Sequence, residues 1–95
     1  MMDEFIGTVM QFAFNYAPEY WQVCHGQIMS INSNQALFAL LGTTYGGNGV
    51  TTFALPDLRK KDASGNYYVQ GEIMPDGTPY IESYICTQGI FPPRQ

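Results

Sequence analysis

Charge is scarce in this sequence: 13% of its 95 residues are charged, about half of the ~25% usual in a soluble domain. A surface so thinly charged is poorly defended against self-association. Only four residues are basic, and three of them form the run Arg59, Lys60, Lys61. That is too few for the basic stripe that neutralises a line of phosphates, so nucleic acid is not an expected partner. The run itself reads as a solvated turn. No apolar stretch approaches the ~20 residues of a membrane span, which argues against membrane insertion. The start, Met1-Met2-Asp3-Glu4, lacks the positive region and longer apolar core of a secretion signal. The expectation is a soluble chain made in the cytoplasm, carried out only as part of a larger particle.

Histidine and cysteine are equally sparse, with His25, Cys24 and Cys86 the full complement. Three ligands so placed do not make a zinc site, which takes about four closely grouped donors, and no other feature points to a cofactor. Neighbours on a strand face opposite ways, so Cys24 and His25 do not form a dyad with each other. Cys86 could meet His25 only through the fold, and no pattern requires it. The eight acidic residues are scattered, several in turns, and none pairs as hydrolytic carboxylates do. No enzyme is expected. The two cysteines are either reduced, buried thiols, the default without a secretion signal, or the halves of one disulfide.

What the sequence does have is 45% hydrophobic and 15% aromatic residues, enough for one compact core and one domain. So short a chain is marginal alone and is often assembled. Apolar alternation over 6–14 predicts a strand with one buried face, and 21–29 a second, interrupted at Gly26 by a bulge or a close backbone approach. Asn32 followed by Gln35 has the spacing of a capping box. The run Ala36 to Leu41 then predicts a helix of about two and a half turns, apolar all round and hence buried, with Gly42 ending it. Further strands are expected at 51–55, stopped by Pro56, at 67–69, and at 80–91, interrupted at Gly89. Turns fall at 15–19 and 74–78, and a polar loop at 60–66. The fold class is α+β: a small single domain of several short, mainly antiparallel strands around one short buried helix.

Between helix and strand lies Gly46-Gly47-Asn48-Gly49, a loop that demands positive φ. It is no phosphate cradle, because it follows a helix C-terminus, where the dipole repels anions. The fourteen aromatics are mostly core, with Trp21 as an anchor. Tyr67 and Tyr68 are candidate contacts for an interface or for a sugar face.

Several of these segments together resemble the phage tail collar domain family, which includes the bacterial proteins labelled microcystin-dependent. The opening match runs from Phe5-Ile6-Gly7 through Asn15-Tyr16-Ala17-Pro18 to Trp21-Gln22-Val23-Cys24-His25-Gly26-Gln27. The longest runs from Asn34-Gln35-Ala36-Leu37 through Leu40, Gly42, Gly46, Gly47 and Gly49 to Pro56-Asp57-Leu58-Arg59. The segment from Pro79 through Cys86 and Gly89 to Pro92 is similar to the family's closing strand. On this reading 1–95 is one collar-like domain: a core signature over 5–59, a short variable region over 60–78 and a closing strand over 79–93.

Three departures stand out. His25 replaces the usual Asp, Lys60 and Lys61 replace the usual Gly-Arg-Val-Pro continuation, and the long variable segment shrinks to about 20 residues. The resemblance implies a structural protein of a tail fibre or tail tip, or of a phage-derived injection or fibre apparatus, within a virion tail or phage-like particle. It implies self-association, commonly as a trimer, and contact with other tail proteins. It also implies that 80–91 pairs with 6–14, bringing Cys24 and Cys86 into one region. The different-class alternative is a host-attachment module that binds a cell-surface glycan through Tyr67 and Tyr68.

Overall fold

A strand near the chain's end organises the molecule. The computed structural model describes residues 4–93. β1 (Val9–Gln11), β2 (Trp21–Val23), β3 (Ile28–Ser30), α1 (Gln35–Leu41), β4 (Thr52–Ala54) and β5 (Ser83–Cys86) follow in chain order. β5 lies between β1 and β2, antiparallel to both, while β3 and β4 form a separate antiparallel pair. The architecture is α+β. The expected pairing of the closing segment with 6–14 is present, and a parallel bridge between Phe5 and Ile90 extends it.

Because side chains alternate across a strand, β5 is buried on two sides. Ile85 points into a core with Ile6, Cys24, Leu37, Phe53 and Leu55, which joins the three-stranded sheet to the helix and to β4. Tyr84 and Cys86 point the other way, onto Trp21, with Phe12, Tyr20 and Val23 packed around them. The Phe12 and Trp21 rings stand nearly perpendicular, their centres 5.2 Å apart, the T-shaped contact that ring quadrupoles favour.

Several expected elements are shorter or differently placed. The strand expected over 6–14 is reduced to β1, and its Met10 is exposed rather than buried. The strand expected over 21–29 is two strands in two sheets, separated at Gly26, whose φ is +76°. Residues 67–69 form no strand; Tyr67 makes a single bridge to Lys61. Of the strand expected over 80–91, β5 is the strand that forms, with a single further bridge at Ile90.

The helix differs too. Asn34, not Asn32, is its N-cap, and no capping-box bond forms. The Asn34 amide instead donates to Ser30 O at 2.9 Å, tying the helix start to β3. Only Leu37 is fully buried, while Ala36, Ala39 and Leu40 are exposed. A helix at the rim of a small core has just one stripe to bury. Gly42 does end the helix, its N–H donating to Phe38 O at 2.7 Å.

Candidate functional site

A cluster of polar groups forms where the 24–26 turn meets the segment after β4. Pro56 is buried and its carbonyl accepts from Gly26 N at 3.2 Å. A Cβ on Gly26 would stand 3.3 Å from Asp57 Cβ, so the close approach anticipated there is real. Asp57 faces Arg59 in a two-pronged pair, Nε to Oδ1 at 2.9 Å and Nη2 to Oδ2 at 2.7 Å. The same Nη2 donates to His25 O at 3.1 Å, which clamps the turn from across the fold. A planar, always charged guanidinium suits this fork better than an ammonium. The Arg59 hydrogen bonds pull the Asp57 carboxyl down to about 2.

His25 turns its ring toward β5. Its Nε2 lies 3.0 Å from Glu82 Oε1, at ion-pair distance but without the alignment of a hydrogen bond. The hydroxyl of buried Tyr80 donates to the same oxygen at 2.7 Å. Burial first, then that bond to Glu82, pushes the Tyr80 phenol well above its ordinary range. Tyr67 lies beneath the Arg59 guanidinium, 3.7 Å from its ring centre, with Lys61 Nζ at 4.9 Å. Tyr68 rests against Tyr80, ring centres 6.2 Å apart. Tyr67 and Tyr68 thus join the cluster built on Asp57 and Arg59.

This arrangement fastens chain segments together: the 24–26 turn, the 57–59 segment and the 80–82 segment meet in it. Burial, aided by Glu82 and Asp57, pushes the Cys24 thiol up to about 11, so it stays protonated at neutral pH. Cys86 is also raised by burial. Both cysteines are free. Among the described residues no three His, Cys, Asp or Glu side chains are grouped to hold a metal ion, and no helix is long and apolar enough to cross a membrane.

The remaining signature residues take places in the frame. Trp21 and Leu37 are core residues, and Leu40 lies against Gly7. A Cβ on Gly47 would stand 2.7 Å from Thr52 O and 2.8 Å from Phe53 N, closer than real atoms approach, so only glycine lets the loop lie on β4. Gly46 O accepts from Ala54 N at 3.1 Å and Gly49 N donates to Thr52 O at 2.9 Å. Gly89 lies just before Ile90 at the Phe5 bridge, beside a groove of about 310 Å³ that runs along the start of α1.

Three residues outside the expected set turn out to matter. Asn48 Oδ1 accepts from Val50, Thr51 and Thr52 N at 2.8, 2.9 and 3.1 Å; an Asn inside a glycine run was the available signal. Gln27 bridges Val23 O and His25 N. Gln70 Oε1 accepts from Glu82 N at 2.6 Å while its Nε2 donates to Phe12 O and Phe14 O. Nothing local marks either glutamine.

The sequence model of the phage tail collar domain matches residues 7–63. That span holds β1 through β4, the helix, the glycine loop and the Asp57–Arg59 clamp, and it ends before β5. No curated protein matches the chain. With more than half of its length matched, from the first strand through the clamp, the chain belongs to the phage tail collar domain family, whose general role is structural, in phage tail fibres.

Proposed function

We propose that the protein is a non-enzymatic structural component of a phage tail fibre or tail tip, or of a phage-derived injection or fibre apparatus. It acts as one collar-like domain over 1–95, pared down by its short variable region, and works within a virion tail or phage-like particle. The carrying observation is that the signature residues are spent on internal contacts. Arg59 holds Asp57 and His25 O, and Gly47 admits the loop onto β4. Groups consumed in this way hold a shape and leave little for a ligand. The function then lies in assembly, with self-association, a trimer being the fibre-like state, and contact with neighbouring tail proteins.

The second reading is a module binding a cell-surface glycan through Tyr67 and Tyr68, favoured by the exposure of Tyr67. Against it, the Tyr67 ring already carries a guanidinium and Tyr68 rests on Tyr80. Light scattering coupled to size exclusion separates the two. A stable oligomer without ligand supports the structural reading, and a monomer at every concentration counts against it. Glycan-array binding that vanishes in Tyr67→Ala and Tyr68→Ala would favour the second.

A further inference from the structure

The sheet edges are unequally protected. At the β2 edge, Trp21 N donates to Pro18 O at 3.0 Å and Val23 O accepts from Gln27 Nε2 at 2.7 Å. At β3, the Asn34 amide covers Ser30 O but nothing among the described residues covers Ile28, and the glycine loop covers β4 through Ala54 N and Gly46 O. The β1 edge has no such cover among the described residues. Cys86 N donates to Thr8 O and Phe12 N to Glu82 O, so the even-numbered residues bond inward to β5. By alternation in an antiparallel ladder, Val9 and Gln11 aim both their N–H and C=O groups outward.

Natural edge strands are usually guarded by charge, proline or a covering loop. Here residues 5–17 contain neither charge nor proline, and β1 is exposed throughout. Val9 is 44% exposed, and the aromatic pair Phe14 and Tyr16 stands beyond it, ring centres 4.7 Å apart. Such a strand repels neither a neutral partner nor itself.

We propose that this edge pairs antiparallel with β1 of a second copy of the chain, about a two-fold axis through Met10. That register uses every outward group. Val9 faces Gln11 of the other copy and exchanges two hydrogen bonds with it, and the symmetric pair exchanges two more. The result is a continuous sheet in the order β2-β5-β1-β1-β5-β2. A charged or proline-bearing strand from another protein would lack the self-complementarity that this neutral segment has, and a two-fold contact needs only the one patch. The contact joins protomers in pairs and so is separate from any three-fold axis of a fibre. It rests on the assembly reading above and names one surface that serves it.

The axis places the two Met10 residues as a non-hydrogen-bonded pair, with Cα atoms about 4.5 Å apart, within disulfide reach. The test compares Met10→Cys with Val50→Cys, a control at a residue 80% exposed, under mild oxidation of the full chain. Cys24 and Cys86 are buried and add no background. Pairing predicts a wild-type particle with an even number of protomers and an interchain disulfide in Met10→Cys that forms far faster than in the control. Val9→Pro removes an outward N–H only, so it should halve the mass while leaving the melting transition cooperative. If that variant fails to fold, Gln11→Lys takes its place. Crosslinking of Met10→Cys no faster than the control overturns the pairing. A trimer without that crosslink overturns the pairing and leaves the structural reading standing; a monomer overturns both.

Discussion

Cys24 and Cys86 lie on opposite faces of the sheet that β5 centres: Cys24 packs with Ile85 in one core, and Cys86 with Trp21 in the other. Shared neighbourhood therefore does not bring the two sulfurs together, and the disulfide alternative has no geometry to use. The expected result is two titratable thiols after unfolding without reductant. In the native state both should react slowly, being buried, with the Cys24 thiol raised to about 11. A thiol count of zero would refute this arrangement.

The Asp57–Arg59 clamp makes stability fall in acid. Its carboxyl is depressed from 3.8 to about 2 in the folded protein, so its contribution is present above pH 3.8 and is lost as pH falls through about 2. The carboxylate is 39% exposed, and solvent screening limits the effect to about 1 kcal/mol or less. Urea midpoints of wild type and Asp57→Asn should differ at pH 6 and converge between pH 4 and pH 2. A gap of constant size over that range would show that the pair does not titrate with folding.

Gly47 and Gly65 share a positive φ, +93° and +87°, but only Gly47 is crowded. Gly65→Ala should cost about 1–2 kcal/mol of backbone strain. Gly47→Ala adds a collision with the β4 main chain and belongs with the exceptional losses of about 4 kcal/mol or more. Thermal unfolding of the pair checks the ordering, and equal losses would mean the loop moves aside.

The helix offers a similar contrast. Leu37 is fully buried and Leu40 is 37% exposed. Leu37→Ala should lose about 2–5 kcal/mol, and Leu40→Ala well under half of that. Comparable losses in the two denaturation curves would restore the all-round burial that the bare sequence suggests.

Gln70→Ala should expose what that side chain joins. With its acceptor gone, the Glu82 N–H is left part-buried and unpaired, at a cost of about 1–3 kcal/mol. Hydrogen exchange at Glu82 should quicken while exchange at Phe53 scales only with global stability. Unchanged exchange at Glu82 would argue against the bridge.

Local chemistry made much of this fold legible. Gly42 ends a helix because φ turns positive there, and the Gly46–Gly49 run foretold a special loop. What local pattern concealed was partnership at long range. The apolar run 36–41 does not reveal how many sides a helix buries, since that depends on how much core surrounds it. Residues 21–29 look like one strand because the guanidinium that clamps the turn at His25 comes from Arg59, far along the chain. Tyr80 and Glu82 joined the polar cluster from the closing strand for the same reason. The edge of β1 became visible as bare only once the covers on the other edges could be compared with it.

The position of β5 between β1 and β2 also sets the timing of folding during synthesis. β1 and β2 are not neighbours and have no sheet to form until residues 83–86 emerge from the ribosome. Until then Trp21, Phe12 and Ile6 lack the strand that buries them, and an unpaired neutral edge is open to the wrong partner. Native-like order in the three-stranded sheet should therefore be absent from ribosome-bound chains that stop short of β5 and appear once it is free, while the β3–β4 pair needs no residue beyond Ala54. A long-range closure of this kind is intrinsically slow, which makes the interval before it the most aggregation-prone of the protein's life.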